Sequence, residues 1–174
     1  MTADWSLPAL VMLPLLAGLA CVLAPRLARS TGIVASVALL LLAAGMAYQV
    51  LHVGVLEQHV GNWLPPLGIA LRLDGVGAAM LLMTAIVATA ISIYAARYYA
   101  APVAQGFWPL WLFLLASLAA LFLSRDLFNL YVTLELSGIA AVALTALAGG
   151  AASLAAAARY LLASLGGSLC YLLG

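Results

Sequence analysis

Six apolar runs of bilayer-crossing length follow one another along the chain: Leu7 to Ala24, Ile33 to Val53, Val76 to Ala96, Phe107 to Leu123, Leu127 to Leu147 and Leu154 to Leu173. A hydrocarbon core of roughly 30 Å is crossed by about 20 helical residues, and a helix satisfies its backbone hydrogen bonds within the segment. The pattern predicts an all-α membrane protein of about six transmembrane helices, forming one transmembrane domain over residues 1–174. Composition agrees. Only 6% of residues are charged and 68% are hydrophobic, whereas an ordinary soluble domain is about a quarter charged. A lipid bilayer is the implied partner. The net charge of +1 gives no reason to expect a nucleic-acid partner.

The connections carry most of the polar and turn-forming residues: Pro25 to Gly32, Gly54 to Asp74, Arg97 to Gly106, Ser124 to Asp126 and Gly149 to Ser153. One of them is long. It holds Gly61, Trp63, Pro65, Pro66 and Gly68, then the alternating Ile69-Ala70-Leu71-Arg72-Leu73. A turn followed by a short strand-like segment is expected there, in an external loop between helices two and three, with Trp63 at the membrane interface. Orientation follows from arginine, since the chain contains no lysine. Arg26, Arg29 and Arg97 share one side, with Arg159 just inside the last run. On the other lie Arg72 near Asp74 and Arg125 beside Asp126, each expected to be offset by its neighbouring aspartate, with Glu57 also on that side. The positive-inside bias then places the N-terminus outside, in a cell membrane that would be the inner membrane of a bacterium.

Cys21 and Cys170 both fall in apolar runs and read as small hydrophobes, not as a disulfide or metal framework. Gly18-Leu19-Ala20-Cys21 faintly resembles a lipoprotein cleavage site, but the preceding segment has Asp4 and no basic residue, so the first run is expected to stay. His52 and His59 have no Cys or carboxylate at ligand spacing, which argues against a metal site, and nothing calls for a cofactor. Tyr94, Tyr98, Tyr99, Trp108 and Trp111 cluster near run ends as an aromatic belt would. Gly138 and the pair Gly166-Gly167, which interrupts the last run, suit close helix packing. No phosphate loop, paired-cysteine motif or nucleophile elbow is present.

Glu135 is the residue whose placement costs most. Nine positions beyond Asp126, it lies roughly 13 Å into its helix at about 1.5 Å per residue. A charged side chain near the bilayer centre costs on the order of 3 kcal/mol, so such groups face a protein interior or a wet path and commonly carry protons. Glu135 is therefore a candidate proton-exchange site. The bland alternative is a neutral carboxyl that only hydrogen-bonds a neighbouring helix. Arg159, about 9 Å from the start of its run, is a second candidate, a fixed charge that would bias Glu135. Snorkelling to the interface explains it equally well. Asp74, Arg125 and Asp126 stand at helix entrances, where an aspartate favours the N-terminal dipole and a structural role is expected.

The run Ser124-Arg125-Asp126-Leu127-Phe128-Asn129-Leu130-Tyr131-Val132-Thr133-Leu134-Glu135 resembles the fifth-helix signature of the antiporter-like family. That family comprises Mrp sodium/proton antiporter subunits, proton-pumping membrane subunits of NADH-quinone oxidoreductase and related hydrogenase subunits. The segment holding Gly61, Trp63, Pro66, Gly68, Ile69 and Asp74 is similar to the approach to the third helix in the Mrp branch of D-type subunits. Arg159-Tyr160-Leu161-Leu162 with Gly167-Ser168 is similar to the sixth. The resemblance implies that the chain is the N-terminal portion of a longer subunit in a hetero-oligomeric membrane complex. It implies proton translocation, with Na⁺ as a second candidate ion, and Glu135 as the buried glutamate that works with a lysine on a seventh helix. Arg125 stands where the family usually has Gly, and Arg159 where it often has Lys. Arginine does not release its proton, so Arg159 can set a field without relaying a proton. Any redox chemistry would belong to partner subunits. The rival expectation is a structural or truncated membrane subunit that packs against partners without conducting protons.

Overall fold

In the computed structural model, which describes residues 6–59, 70–99 and 103–173, six helices are long and apolar enough to cross a membrane. They are α1 (Ser6–Leu23), α2 (Ala28–Val53), α3 (Gly75–Tyr98), α4 (Val103–Leu123), α5 (Leu127–Ala146) and α6 (Gly150–Leu173). Two short strands, β1 (Leu56–His59) and β2 (Ala70–Leu73), pair antiparallel between α2 and α3. The expected strand-like segment is thus present from Ala70 onward. The turn and the interfacial Trp63 expected at 60–69 lie outside the described residues.

Several helices start before the apolar runs do. The connection expected over Pro25 to Gly32 shrinks to a 3-10 turn at Pro25–Leu27, and Arg29 to Gly32 form the first turns of α2. Likewise Val103 to Gly106 belong to α4, and Gly150 to Ser153 to α6. The reason is physical: hydropathy marks the part of a helix that sits in hydrocarbon, whereas backbone hydrogen bonding continues into the polar interface. At the α5–α6 turn, Gly149 and Gly150 adopt φ of 74° and 84°, a left-handed conformation in which a side chain would be strained.

The first four helices make the core. α1 packs along α4, α2 along α3, and α2 also meets α1 and α4. Small residues allow the close approaches: Gly32 of α2 lies directly beneath the indole of Trp108 on α4, where a β-carbon would overlap the ring. Trp108 is therefore buried core and not part of an interfacial belt, and Trp111 is also turned inward, donating its indole N–H to Ser92. The residues that do sit as a belt should are Tyr94 and Tyr98, exposed and stacked on one another. Inside the core, Ser36 and Ser92 hydroxyls lie 2.7 Å apart, fully buried, and tie α2 to α3.

α5 and α6 are appended to this core in sequence, α5 on α4 and α6 on α5. The most apolar stretch of α4 is 56% buried, against 11% for α5 and 6% for α6, so the last two helices form the periphery of the described molecule. Gly166 and Gly167 neither interrupt α6 nor mediate close packing. The helix runs through them, and a β-carbon at either would meet nothing within 4 Å.

Candidate functional site

The helix that carries Glu135 is fixed at its start by side chains. Asp126 caps α5, its Oδ1 accepting from the Asn129 backbone N–H at 2.7 Å, and the Asn129 side chain donates to Ser124 Oγ at 2.9 Å. A capping aspartate satisfies an otherwise orphan N–H and complements the positive end of the helix dipole. Asp74 does the same for α3 through Gly77 N–H. Neither aspartate forms an ion pair with the neighbouring arginine. Instead, Glu57 on β1 takes both: Arg125 Nη1 lies 2.7 Å from its Oε2 and Arg72 Nη1 lies 3.7 Å from its Oε1. The charge on this side is therefore locally offset, but by Glu57.

Two and a half turns into α5, Glu135 lines an open cleft of about 480 Å³ between α4, α5 and α6. Leu114 and Leu118 of α4 supply one wall. The opposite wall is α6, which presents Tyr160, Ser164, Ser168 and Tyr171 at helical spacing on one face. The two helices meet closely here because Gly138 has no side chain: a β-carbon would stand 3.0 Å from Ser164 Oγ. Gly138 thus mediates the close packing expected of it. Glu135 itself is half-buried, and its Oε1 is enclosed with no hydrogen-bond partner. A buried carboxylate oxygen left unpaired is costly, so it requires a proton, a water or a further polar group beside it. The hydroxyls across the cleft can both donate and accept, which suits a water-borne proton. Sequence reasoning missed this hydroxyl face, although Tyr160, Ser164, Ser168 and Tyr171 recur at spacings of three and four.

Arg159 is placed differently from Glu135. It is exposed on α6, about 100° around the helix from Tyr160, and forms no ion pair with Glu135. Among the described residues, no three His, Cys, Asp or Glu side chains converge. Cys21 is buried in α1 and Cys170 exposed on α6, both as free thiols.

No protein family model matches the chain. Relatives do. The N subunit of NADH-quinone oxidoreductase from Desulforudis audaxviator is 37% identical over 173 residues, 95% of this chain and 34% of that protein. The D subunit of the Na(+)/H(+) antiporter from Alkalihalophilus pseudofirmus is 30% identical over 148 residues, 80% of this chain and 29% of the relative. The chain belongs to the antiporter-like family of membrane subunits. The same fold occurs in a solved assembly: a chain of the membrane-bound sulfane sulfur reductase, an archaeal respiratory membrane complex, superposes with a TM-score of 0.87 at 25% identity over 96% of this chain. This antiporter-like chain spans about a third of the length of the proteins it matches, 34% and 35% in the first relative and the solved structure. It is an integral membrane protein, similar to subunits of multisubunit membrane complexes.

Proposed function

We propose that this antiporter-like chain serves proton translocation within a larger membrane complex, with Glu135 as the group that binds and releases the proton. One observation carries the reading: an intramembrane carboxylate whose enclosed oxygen has no partner and which borders a cleft faced with hydroxyls. An ionisable group at that depth is expensive unless it is used. The relatives support the same class of activity, since one belongs to a Na(+)/H(+) antiporter and another to NADH-quinone oxidoreductase. The coupled ion is the proton, with Na⁺ the candidate counter-ion. Arg159 is assigned the lesser part of a fixed charge that biases the cleft from its exposed position. The chain sits in a bacterial cell membrane with its N-terminus outside, on the arginine bias.

Replacing Glu135 by Gln keeps shape and hydrogen-bonding capacity but removes titration. In the intact complex, Glu135→Gln lowers proton-coupled transport at least about tenfold, as loss of a proton-transfer group does, while assembly is unchanged. Normal transport at normal expression would leave Glu135 as a packing residue only.

A further inference from the structure

We infer that Glu57 is a positioning residue for Glu135, acting by clamping the start of α5 to the β-hairpin through Arg125. The inference rests on the proton-exchange reading of Glu135 but is drawn from a different part of the molecule.

The hairpin is anchored on the helical core. Leu71 and Leu73 of β2 are 6% and 0% exposed, and β2 touches α1, α3 and α4. Glu57 stands opposite Arg72 in the strand register, and Leu71 forms a bridge to Ser124, the residue before Arg125. The α4–α5 connection is thereby held to the hairpin twice, once by backbone at Ser124 and once by the 2.7 Å contact of Arg125 with Glu57. Asp126 is not available to Arg125 in the same way, because its Oδ1 is engaged as the α5 cap.

α5 packs on α4 along one side and on α6 along the other, and the two contacts at its start set its axial position relative to the hairpin. A helix transmits an axial shift at its first turn along its length, so a loosened Arg125 changes how Glu135 sits against the cleft. Each arginine pair is about 40% exposed, and exposed pairs contribute at most about 1 kcal/mol each, which corresponds to a factor of roughly five.

The test uses the assembled complex with Cys21 and Cys170 replaced and spin labels at Val76→Cys and Phe128→Cys, exposed positions at the starts of α3 and α5. Glu57→Ala, Arg125→Ala and the double variant are each expected to broaden the label-to-label distance and to slow transport by the same factor of about two to five. Equal effects in single and double variants are the signature of one shared contact. Arg125→Lys, which keeps a cation within reach of Glu57, is expected to restore the narrow distance and most of the transport rate. An unchanged distance, or additive effects of the two substitutions, would overturn the clamp. A broadened distance with transport unmoved, no recovery by Arg125→Lys, or a loss that only follows the amount of assembled protein, would overturn the positioning role. Normal transport by Glu135→Gln would instead strike the proton-exchange reading, and the distance measurement separates the two failures.

Discussion

Gly138 of α5 and Ser164 of α6 approach so closely that a β-carbon on the glycine would lie 3.0 Å from the serine oxygen. That contact, one turn from Glu135, sets the width of the cleft. Gly138→Val forces the helices apart and is expected to lower stability by about 1–3 kcal/mol, the usual cost of overpacking. Thermal inactivation of the purified complex reads it. Gly138→Ala, which asks Ser164 to give only slightly, should cost less, and Ser164→Gly should restore it. Equal stability of the Val variant and wild type would show that the cleft has no close helix contact.

The same geometry is tighter at Gly32, which lies against the Trp108 indole with no room for a side chain. Both residues are buried between α2 and α4. Gly32→Ala is expected to destabilise by about 1–3 kcal/mol, and Trp108→Phe to recover part of that loss because the smaller ring vacates the space. The yield and melting temperature of the membrane protein in detergent measure both. A fully stable Gly32→Ala protein would contradict the packing.

Ser92 takes the indole N–H of Trp111 at 3.0 Å and shares a 2.7 Å hydrogen bond with Ser36. Interhelical hydrogen bonds in membranes average about 0.6 kcal/mol, so Ser92→Ala should cost roughly 1 kcal/mol. Ser36 keeps a bond to the Gly32 carbonyl. Ser36→Ala added to Ser92→Ala should therefore cost less than the two separately, which unfolding measurements on the four proteins would show.

Topology has a direct measurement. Val55 precedes the hairpin and Leu27 lies in the α1–α2 turn, both exposed and at opposite ends of α2. In a protein without its native cysteines, an impermeant maleimide applied outside the cell should label Val55→Cys and leave Leu27→Cys untouched. The reverse pattern would invert the orientation.

How much of this was legible in advance differs between elements. The spans were, because a bilayer leaves a chain only helix as a way to satisfy its backbone where no barrel pattern exists, and apolar length alone then marks each crossing. Helix starts were not. Arg29 to Gly32 looked like connection because they are polar or small, yet they are helical in α2. Trp108 and Trp111 looked interfacial by position, but which way a ring points depends on the partner helix, and Gly32 and Ser92 draw both inward.

For the site, the sequence by itself determined that Glu135 sits at depth in a membrane helix, since distance along a helix is arithmetic once the Asp126 cap is known. It likewise determined that Asp74 and Asp126 begin helices. Only the tertiary structure decided what surrounds them. It set Tyr160, Ser164, Ser168 and Tyr171 across the cleft from Glu135 and left Arg159 exposed and unpaired with it. It also gave Arg72 and Arg125 to Glu57, far away along the chain, and not to the aspartates beside them. The reason is that burial cost depends on a residue's own position in the bilayer, whereas hydrogen bonds and ion pairs depend on which helix faces come together, and local spacing does not encode that.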